Sequence, residues 1–352
     1  MHFASDNTAG ASARILDAIV AANRDVLSSY GTDPHTRRAE ALLRDTFGCD
    51  LAAVLVTTGT AANSLALAAL VPPSSVVFCH EGAHIIEEEC AGPEFFIGSG
   101  KLVGVAGANG KIDPAAFAAK LKRFPRGVVR QAQPSCLSLS QVTESGTLYT
   151  LDEVRTLANM AHAAGLTVHM DGARFGNAVA ALGCSPAALT HEAGVDALSF
   201  GATKNGALAC EAVLIFDKGR AATLPFLQKR GGHVLSKGRL LGSQMAAYLE
   251  GGHWLELARR ANARAGRLAA GLAEVPGVRL PWATQANEVF PILPQGLAER
   301  LKSAGAVFYD WEQAYLTTDQ LPGPDEAFVR LICSHATTED EVESLLRIAQ
   351  AA

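Results

Sequence analysis

Between about residues 50 and 216, short apolar segments that predict strands alternate with longer segments that predict helices. This alternation restricts the fold more than any other feature of the chain, because strands separated by helices form a mainly parallel sheet with helices on both faces. We predict strands at 53–58, 76–79, 166–170, 196–200 and 212–216. We predict helices at 59–70, 113–124, 150–165 and 186–194.

Three helices carry start signals in the sequence. Asp113 stands at an N-cap position and is followed by proline, which favours the first turn of a helix. Thr150 with Glu153, and Thr338 with Glu341, have the spacing of a capping box. These signals predict where the helices begin.

The pattern changes after about residue 240. One long helical stretch at 243–275 comes first, and shorter strand candidates at 288–293 and 328–333 follow it. We therefore predict a large α/β domain over 1–247. A smaller C-terminal α+β domain over 248–352 is joined to it through the long helix.

Charge and composition argue against several functional classes. The net charge of −5 and the isoelectric point near 6.1 argue against a nucleic-acid partner. The most apolar stretch, 65–77, is interrupted by Pro72 and Pro73, so we expect no membrane span. The seven cysteines are scattered without a CxxC motif, which is typical of a reducing compartment, and we expect the cytoplasm.

Three polar groups follow predicted strands, where ligands bind in sheets of this kind. Strand 53–58 runs into Gly59 and Thr60 at the start of a helix, whose free backbone amides can bind an anion. Strand 166–170 ends at Asp171, and the next strand leads to Lys204. Glycine and alanine surround this lysine, so a bulky group could approach its amine.

Each group alone also has a structural explanation. Gly59 and Thr60 suit any strand-to-helix turn, Asp171 could pair with Arg174, and Lys204 could be a solvated loop lysine. In combination they fit pyridoxal phosphate. This cofactor needs a lysine for its aldehyde, an anion site for its phosphate and a carboxylate beside its pyridine nitrogen.

A zinc hydrolase is the alternative from a different class. The segment HEGAH at 80–84 matches the H-E-x-x-H signature, in which both histidines lie on one face of a helix. However, His80 directly follows a predicted strand, and Gly82 weakens any helix between it and His84. We therefore expect no metal site.

The order of several motifs resembles the threonine aldolases, which are pyridoxal phosphate enzymes of fold type I (aspartate aminotransferase-like). The resemblance covers nearly the whole chain. The matching motifs are SDN (5–7), YGTDP (30–34), TGTAAN (58–63), His84 followed by EEE, DGAR (171–174), SFGATKNGA (199–207) and VRL (329–331).

The resemblance implies cleavage of L-threonine, L-allo-threonine or related β-hydroxy-α-amino acids, including phenylserine, to glycine and an aldehyde. Another fold type I lyase or an aminotransferase is the nearest alternative. The resemblance also implies that the catalytic residues are Lys204, which would bind pyridoxal phosphate covalently, and His84. The implied cofactor-binding residues are Gly59, Thr60, His84, Asp171, Arg174, Thr203 and Lys204. The implied substrate-binding residues are Ser5, Tyr30, Gln141, Arg174 and Arg330, so the resemblance also implies that the large, cofactor-binding domain over 1–247 includes an N-terminal substrate-contacting segment.

Two further expectations depend on the family pattern. Many members carry a second histidine after the middle strand, where Gln141 falls here, and glutamine cannot act as a base near neutral pH. His84, or a water that it orients, is therefore the candidate base. The family builds its site between subunits, so we expect a homodimer or homotetramer in which a basic residue reaches the partner's phosphate. The candidates for this residue are Arg230, Lys237 and Arg239.

Overall fold

A seven-stranded sheet forms the centre of the large domain in the computed structural model, which describes residues 1–313 and 316–351. Its strands are β1 Ala52–Val56, β2 Ser75–His80, β3 Lys101–Val105, β4 Gln133–Ser140, β5 Thr167–Gly172, β6 Ala197–Gly201 and β7 Glu211–Ile215. Their spatial order is β1-β7-β6-β5-β4-β2-β3. β7 is antiparallel to β1 and β6, and the other neighbours are parallel, so the predicted mainly parallel sheet is confirmed.

Helices cover both faces of this sheet. The helices of the large domain are α1 Ala13–Ala22, α2 Pro34–Phe47, α3 Gly59–Leu70, α4 His84–Glu87, α5 Gly92–Phe96, α6 Pro114–Lys122, α7 Leu151–Ala163, α8 Phe175–Leu182, α9 Pro186–Leu189, α10 Leu224–Arg230 and α11 Arg239–Leu249. Side chains alternate between the faces along β2: Val76 and Phe78 join one apolar core, and Val77 and Cys79 join another. Burial on both faces explains why the strands are apolar throughout.

The predicted start signals are present as hydrogen bonds. The side chain of Asp113 accepts a hydrogen bond from the Ala116 amide at 2.7 Å. Thr150 with Glu153 forms a complete capping box, and so does Thr338 with its glutamate. Local sequence therefore determines where these helices begin.

The long helical stretch that we predict at 243–275 is in fact two helices. α11 ends at Leu249, and α12, His253–Ala273, begins after a break. Gly251 and Gly252 have φ angles of 65° and 73°, a left-handed conformation that glycine tolerates and that a continuous helix excludes. The prediction of one helix was wrong because apolar periodicity continues across the two glycines.

The small domain is an antiparallel sheet covered by helices. Its strands are β8 Glu288–Val289, β9 Ile292–Pro294, β10 Tyr309–Asp310 and β11 Glu326–Ile332, with β11 pairing to the other three. Its helices are α12, α13 Gln295–Ser303 and α14 Glu339–Gln350. α12 links the domains, because Trp254 near its start packs in the large core and Leu268 packs in the small one.

The first residues of the chain pack with the small domain. Phe3 is fully buried in its core, and the Phe3 amide donates to the Val307 carbonyl at 2.8 Å. The Ile332 amide donates to the Phe3 carbonyl at 2.8 Å. The domain boundary at 247/248 remains a prediction. It assigns the N-terminal segment to the large domain, although this segment packs with the small one.

In the described ranges, none of the helices combines the length and apolarity needed to span a membrane.

Candidate active site

A cavity of about 320 Å³ lies at the carboxyl ends of β5 and β6. Parallel strands point the same end toward one edge of the sheet, so residues that follow β5 and β6 meet there. All seven residues predicted to hold the cofactor line this cavity: Gly59, Thr60, His84, Asp171, Arg174, Thr203 and Lys204. The structure thus brings together the groups that the motifs predict, and their roles remain a proposal.

The N-terminus of α3 forms one wall of this cavity. Thr58 caps the helix, and its hydroxyl accepts a hydrogen bond from the Ala61 amide at 3.2 Å. The first amides of a helix have no partner inside it, and the helix dipole makes this end positive. A Cβ on Gly59 would meet no atom within 4 Å, so open space lies beside these amides. This wall can bind a phosphate.

Lys204 lies in a single 3₁₀ turn, Thr203–Asn205, directly after β6. The side-chain amide of Asn205 fixes this turn, because its Nδ2 donates to the Tyr248 hydroxyl and to the Trp254 carbonyl, each at 2.8 Å. Within residues 1–313 and 316–351, Lys204 makes no hydrogen bond and no ion pair. Its amine is therefore available to a ligand.

The small residues before Lys204 are required by backbone packing. A Cβ on Gly201 would collide with the backbone of Ala173, in the turn after β5. The turns after β5 and β6 can approach so closely only because this position has no side chain. Glycine here brings the segment of Asp171 next to that of Lys204.

Asp171 is buried near the end of β5, and both of its carboxylate oxygens accept hydrogen bonds. Oδ2 accepts from Asn63 Nδ2 at 2.8 Å, and Oδ1 accepts from the Ala173 amide at 3.0 Å. A carboxylate held in this way can also accept a hydrogen bond from a protonated ring nitrogen. This is the partner that a pyridinium needs.

His84 stands at the first position of α4 and lines the cavity. Its Nδ1 lies 2.9 Å from Glu89 Oε1, and its backbone amide donates to Glu144 Oε1 at 2.9 Å. The hydrogen bond that His84 donates to Glu89 raises the pKa of His84, while burial acts in the opposite direction. His84 is thus a titratable group held in place on two sides.

A second cavity of about 410 Å³ lies next to the first, where the two domains meet. Ser5 and Arg330, both predicted to bind substrate, line it together with Tyr309 and Trp311. The guanidinium of Arg330 stacks on the Trp311 ring at 3.7 Å from the ring centre. Arg174, His84 and Lys204 line both cavities, so the two form one continuous site.

Arg174 is fixed by two buried carboxylates. Its Nε and Nη2 donate to the two oxygens of Asp6 at 2.7 and 3.0 Å, and its Nη1 lies 3.4 Å from Glu288 Oε2. Burial opposes the charge of Arg174, but Asp6 and Glu288 together raise its pKa. This bidentate pair ties the N-terminal segment and the small domain to the turn after β5.

Two carboxylates that sequence reasoning missed also line the first cavity. Glu144 Oε1 accepts from the Ser140 hydroxyl at 2.7 Å, and burial raises the pKa of this carboxyl. Glu211 Oε2 accepts from the Ala202 amide at 2.8 Å, and burial raises its pKa to about 7. The signal for Glu211 was a lone carboxylate at the start of an apolar strand; Glu144 had no comparable signal.

Two predicted residues lie away from the cavities. Gln141 is fully buried, its Nε2 donates to the Tyr149 carbonyl at 2.8 Å, and its Oε1 accepts from the Tyr149 amide at 2.9 Å. Both ends of this amide are occupied, and the side chain lines neither cavity. Tyr30 is 57% exposed and lines a separate depression beside the segment 231–238. A contact between Tyr30 and the site would therefore have to come from another subunit.

The residues of HEGAH do not form a metal site. His80 Nε2 is bonded to the Gly107 carbonyl at 3.0 Å, and the Gly82 amide donates to His80 Nδ1 at 3.1 Å. His84 faces Glu89 instead of His80. Nowhere in the described part of the chain do three His, Cys, Asp or Glu residues stand together as a possible metal-ligand set. The described residues therefore offer the zinc alternative no ligand set.

Comparisons with known proteins agree with this geometry. The family model described as "Beta-eliminating lyase" matches residues 2–293. A low specificity L-threonine aldolase from Pseudomonas aeruginosa is 39% identical over 345 residues, which are 98% of this chain and 96% of the relative. A second, from a Pseudomonas species, is 39% identical over 307 residues, or 87% of this chain and 88% of the relative.

Solved structures agree as well. Threonine aldolase from Leishmania major superposes with a TM-score of 0.91 at 26% identity, covering 99% of this chain and 98% of that one. Serine palmitoyltransferase from Sphingomonas wittichii has a TM-score of 0.71 at 15% identity, covering 100% and 86%, and so is alike in fold alone. The predicted fold type I and the resemblance drawn from the motifs are both confirmed.

Proposed function

We propose that this chain, which belongs to the β-eliminating lyase family in the group of the threonine aldolases, cleaves β-hydroxy-α-amino acids to glycine and an aldehyde. The proposed substrates are L-threonine, L-allo-threonine and related compounds. The protein is a pyridoxal phosphate-dependent lyase. One observation supports this function above the others: Lys204, Asp171 and the N-terminus of α3 surround a single cavity, and the lysine has no partner among the described residues.

The residues fit pyridoxal phosphate. Gly59, Thr60 and Thr203 would hold the phosphate, Asp171 would hold the pyridine nitrogen, and Lys204 would bind the aldehyde carbon. Bound pyridoxal phosphate supplies an electron sink for the pair that is released when the Cα–Cβ bond breaks. Asp171, fixed by Asn63 and by a backbone amide, maintains the charge that makes the ring an effective sink.

Guanidinium groups in the second cavity would orient the substrate. Asp6 and Glu288 already hold Arg174, so we assign the main contact with the substrate carboxylate to Arg330, beside Ser5. Holding the carboxylate would determine which bond at the substrate Cα is aligned for cleavage. Alignment of this kind can lower a reaction barrier by several kcal/mol, about 7 or more in the best intramolecular cases.

His84 would accept the proton of the β-hydroxyl group. It lines both cavities, so it stands where the cofactor side and the substrate side meet. Its Nδ1 faces Glu89, which leaves Nε2 as the ring nitrogen that can take a proton. Gln141 is not included in this proposal, because its amide is occupied by Tyr149.

Product analysis tests the function. The purified protein with pyridoxal phosphate should release glycine and acetaldehyde from L-threonine, and glycine and benzaldehyde from L-phenylserine. Glycine with either aldehyde should give back the aldol product. Formation of a keto acid with ammonia, or of a keto acid only when an amino acceptor is added, would instead indicate β-elimination or transamination.

We also propose that the active enzyme is a homodimer or homotetramer with shared sites. Tyr30 lies in a surface patch with Lys229, whose Nζ is 5.3 Å from the centre of the Tyr30 ring. The Tyr30 amide donates to the Ser236 carbonyl at 3.0 Å, so Lys237 belongs to the same patch. Arg239 donates to the Asp25 carbonyl of its own chain, which favours Arg230 or Lys237 as the residue that reaches a partner's phosphate.

Mixing two inactive variants tests this sharing. If Lys237 serves the partner's site, Lys204→Ala and Lys237→Ala should both be inactive, and dissociating and reassociating them together should restore about a quarter of the wild-type activity. Arg230→Ala is the parallel variant. A monomer in light scattering that retains full activity would contradict the proposal.

A cytoplasmic location is part of the same proposal. All seven cysteines are free thiols in the structure, as expected in a reducing compartment. Cell fractionation with detection of cleavage activity would test it, and activity confined to a secreted or periplasmic fraction would contradict it.

A further inference from the structure

We infer that Glu89 is a positioning residue, which orients His84 so that its Nε2 is the proton acceptor, and that Asn63 links this pair to Asp171. The inference rests on the proposed function and deepens it. The motif of His84 followed by three glutamates does not single out Glu89, which is the last of the three and lies just beyond the end of α4. The structure distinguishes it from the other two, which are exposed.

Burial sets Glu89 apart. Its side chain is 0% exposed, and Oε1 accepts hydrogen bonds from two side chains. One is His84, whose Nδ1 lies at 2.9 Å; the other is Asn63, whose Nδ2 lies at 2.8 Å. Glu89 Oε2 is also buried and has no hydrogen-bond partner among the described residues. A buried carboxylate is costly, so one that faces a histidine at the site needs an explanation.

Asn63 connects two carboxylates through a single nitrogen. Nδ2 donates to Glu89 Oε1 and to Asp171 Oδ2, each at 2.8 Å. An amide nitrogen has two hydrogens, so both are used and the orientation of the amide is determined. Asn63 lies on α3, whose first residues form the phosphate wall. One helix therefore holds the anion end of the cofactor site and aligns the two carboxylates behind it.

The carboxylate determines which nitrogen of His84 carries the proton. A carboxylate accepts hydrogen bonds, so Nδ1 of the neutral ring must be the protonated nitrogen, and Nε2 keeps its lone pair. A base that is oriented by a third group in this way is the arrangement found at many nucleophilic and general-base sites. Glu89 acts through His84 and lines only the cofactor cavity, so it need not touch the substrate.

Four charged groups face His84. They are Glu89 from its own segment, Glu144 from the turn after β4, Asp171 from β5 and Lys204 from the turn after β6. The Glu89 hydrogen bond does most to raise the pKa of His84; Asp171 also raises it, and Lys204 lowers it. Replacing Glu89 by glutamine should therefore lower the pKa of His84 and free its ring to adopt the other tautomer.

Nitrogen NMR of the histidine rings in the cofactor-free protein tests the inference without any catalysis. His84→Asn identifies the His84 signals by difference. In the wild type, neutral His84 should carry its proton on Nδ1. In Glu89→Gln the pKa of His84 should fall, and the neutral ring should no longer be held in the Nδ1-protonated tautomer alone. Wild-type His84 protonated on Nε2 would overturn the inference without any variant.

Kinetics of the enzyme with cofactor give the second measurement. Glu89→Gln should lower kcat about 10²- to 10⁴-fold, as loss of the orienting carboxylate does in a comparable triad, with KM changed much less. The acidic limb of its pH–kcat profile should move to lower pH. Glu89→Asp keeps a carboxylate and should recover part of kcat and the Nδ1 tautomer. Glu81→Gln makes the same chemical change at an exposed position nearby and should match the wild type.

The outcomes separate this inference from the proposed function. If His84→Asn is inactive while Glu89→Gln keeps the wild-type kcat, pH profile and tautomer, the aldolase function stands and the role of Glu89 is wrong. If the wild type releases glycine from no β-hydroxy-α-amino acid, the function is wrong. The NMR measurement still decides the Glu89–His84 arrangement in that case.

Discussion

The two halves of the site are built in different ways. The cofactor half comes from neighbouring elements of one sheet: Asp171 follows β5, Lys204 follows β6, and α3 lies against them. The substrate half combines Ser5 from the N-terminal segment with Glu288 and Arg330 from the small sheet, and these groups face the cofactor half only because the small domain packs against the large one. The sheet fixes the first set of groups, whereas the second set depends on how the domains pack. Substitutions in the cofactor half should therefore mainly lower kcat, and substitutions in the substrate half should mainly raise KM.

Lys204→Ala should have the largest effect, because it removes the only covalent attachment that we propose for the cofactor. We expect kcat/KM to fall roughly 10³- to 10⁶-fold. The measurement is cleavage of L-threonine, together with borohydride reduction, which should leave a pyridoxyl group on Lys204 of the wild type. Lys101→Ala, an exposed lysine at the start of β3, is the control. Substantial activity in Lys204→Ala would show that the lysine does not anchor the cofactor.

Asp171→Asn should impair the cofactor half of the site while keeping the size and shape of the side chain. The neutral amide cannot keep a pyridine nitrogen protonated, so kcat should fall about 10²- to 10³-fold while KM changes little. Steady-state cleavage at saturating cofactor measures this. A change confined to KM would mean that Asp171 serves binding, and the contrast between the halves would fail.

Arg330→Ala should break the substrate half alone. Loss of a charged contact with the carboxylate should raise KM about 10- to 100-fold, with the visible absorption of the bound cofactor unchanged. Arg279→Ala, which removes a surface ion pair with Glu326 on the same small sheet, is the control. If Arg330→Ala lost cofactor while KM stayed constant, the assignment of Arg330 to the substrate half would be wrong.

Glu211→Gln should have the smallest effect of these variants. It tests a residue of the cofactor half through the stability of the fold instead of through activity. Burial raises the pKa of Glu211 from 4.5 to about 7, so between these values the folded state binds a proton that the unfolded state has released. The stability of the wild type should therefore fall as pH rises toward 7, and glutamine should remove this loss. We expect Tm of the cofactor-free variant to exceed that of the wild type by roughly 2–4 °C at pH 8.

At pH 5 the wild type and Glu211→Gln should have almost the same Tm. The raised pKa keeps Glu211 protonated in the folded state at that pH, so its side chain is neutral like that of glutamine. Glu274→Gln, at an exposed position after α12, should change Tm at neither pH. An equal Tm shift at both pH values would show that Glu211 does not titrate in this range.

The sequence predicts the cofactor half far better than the substrate half, for a physical reason. Asp171 and Lys204 each follow a strand, and the rule that parallel strands end at one edge places them together without knowledge of side-chain packing. Glu89 and Asn63 could not be found in this way. Their roles depend on which of three glutamates is buried and on where one amide of α3 points, and both are set by tertiary contacts.

Local signals have similar limits elsewhere. Capping boxes fix the start of α7 and α14 because the hydrogen bonds lie within three residues of one another. Apolar periodicity continues through Gly251 and Gly252, so the break between α11 and α12 depends on backbone conformation that periodicity does not detect. Gln141 stands where the family pattern suggests a substrate contact, but its amide is bonded to Tyr149.

The packing of the N-terminal segment has a consequence for biosynthesis. Phe3 and Asp6 are translated long before their partners Val307, Ile332 and Asn287, with Asp6 and Asn287 281 positions apart. The strands of the large sheet end at Ile215 and are all translated well before those partners. We expect a nascent chain to form the sheet edge that holds pyridoxal phosphate first. The groups that select a substrate would then assemble later, once the strands of the small sheet have been translated.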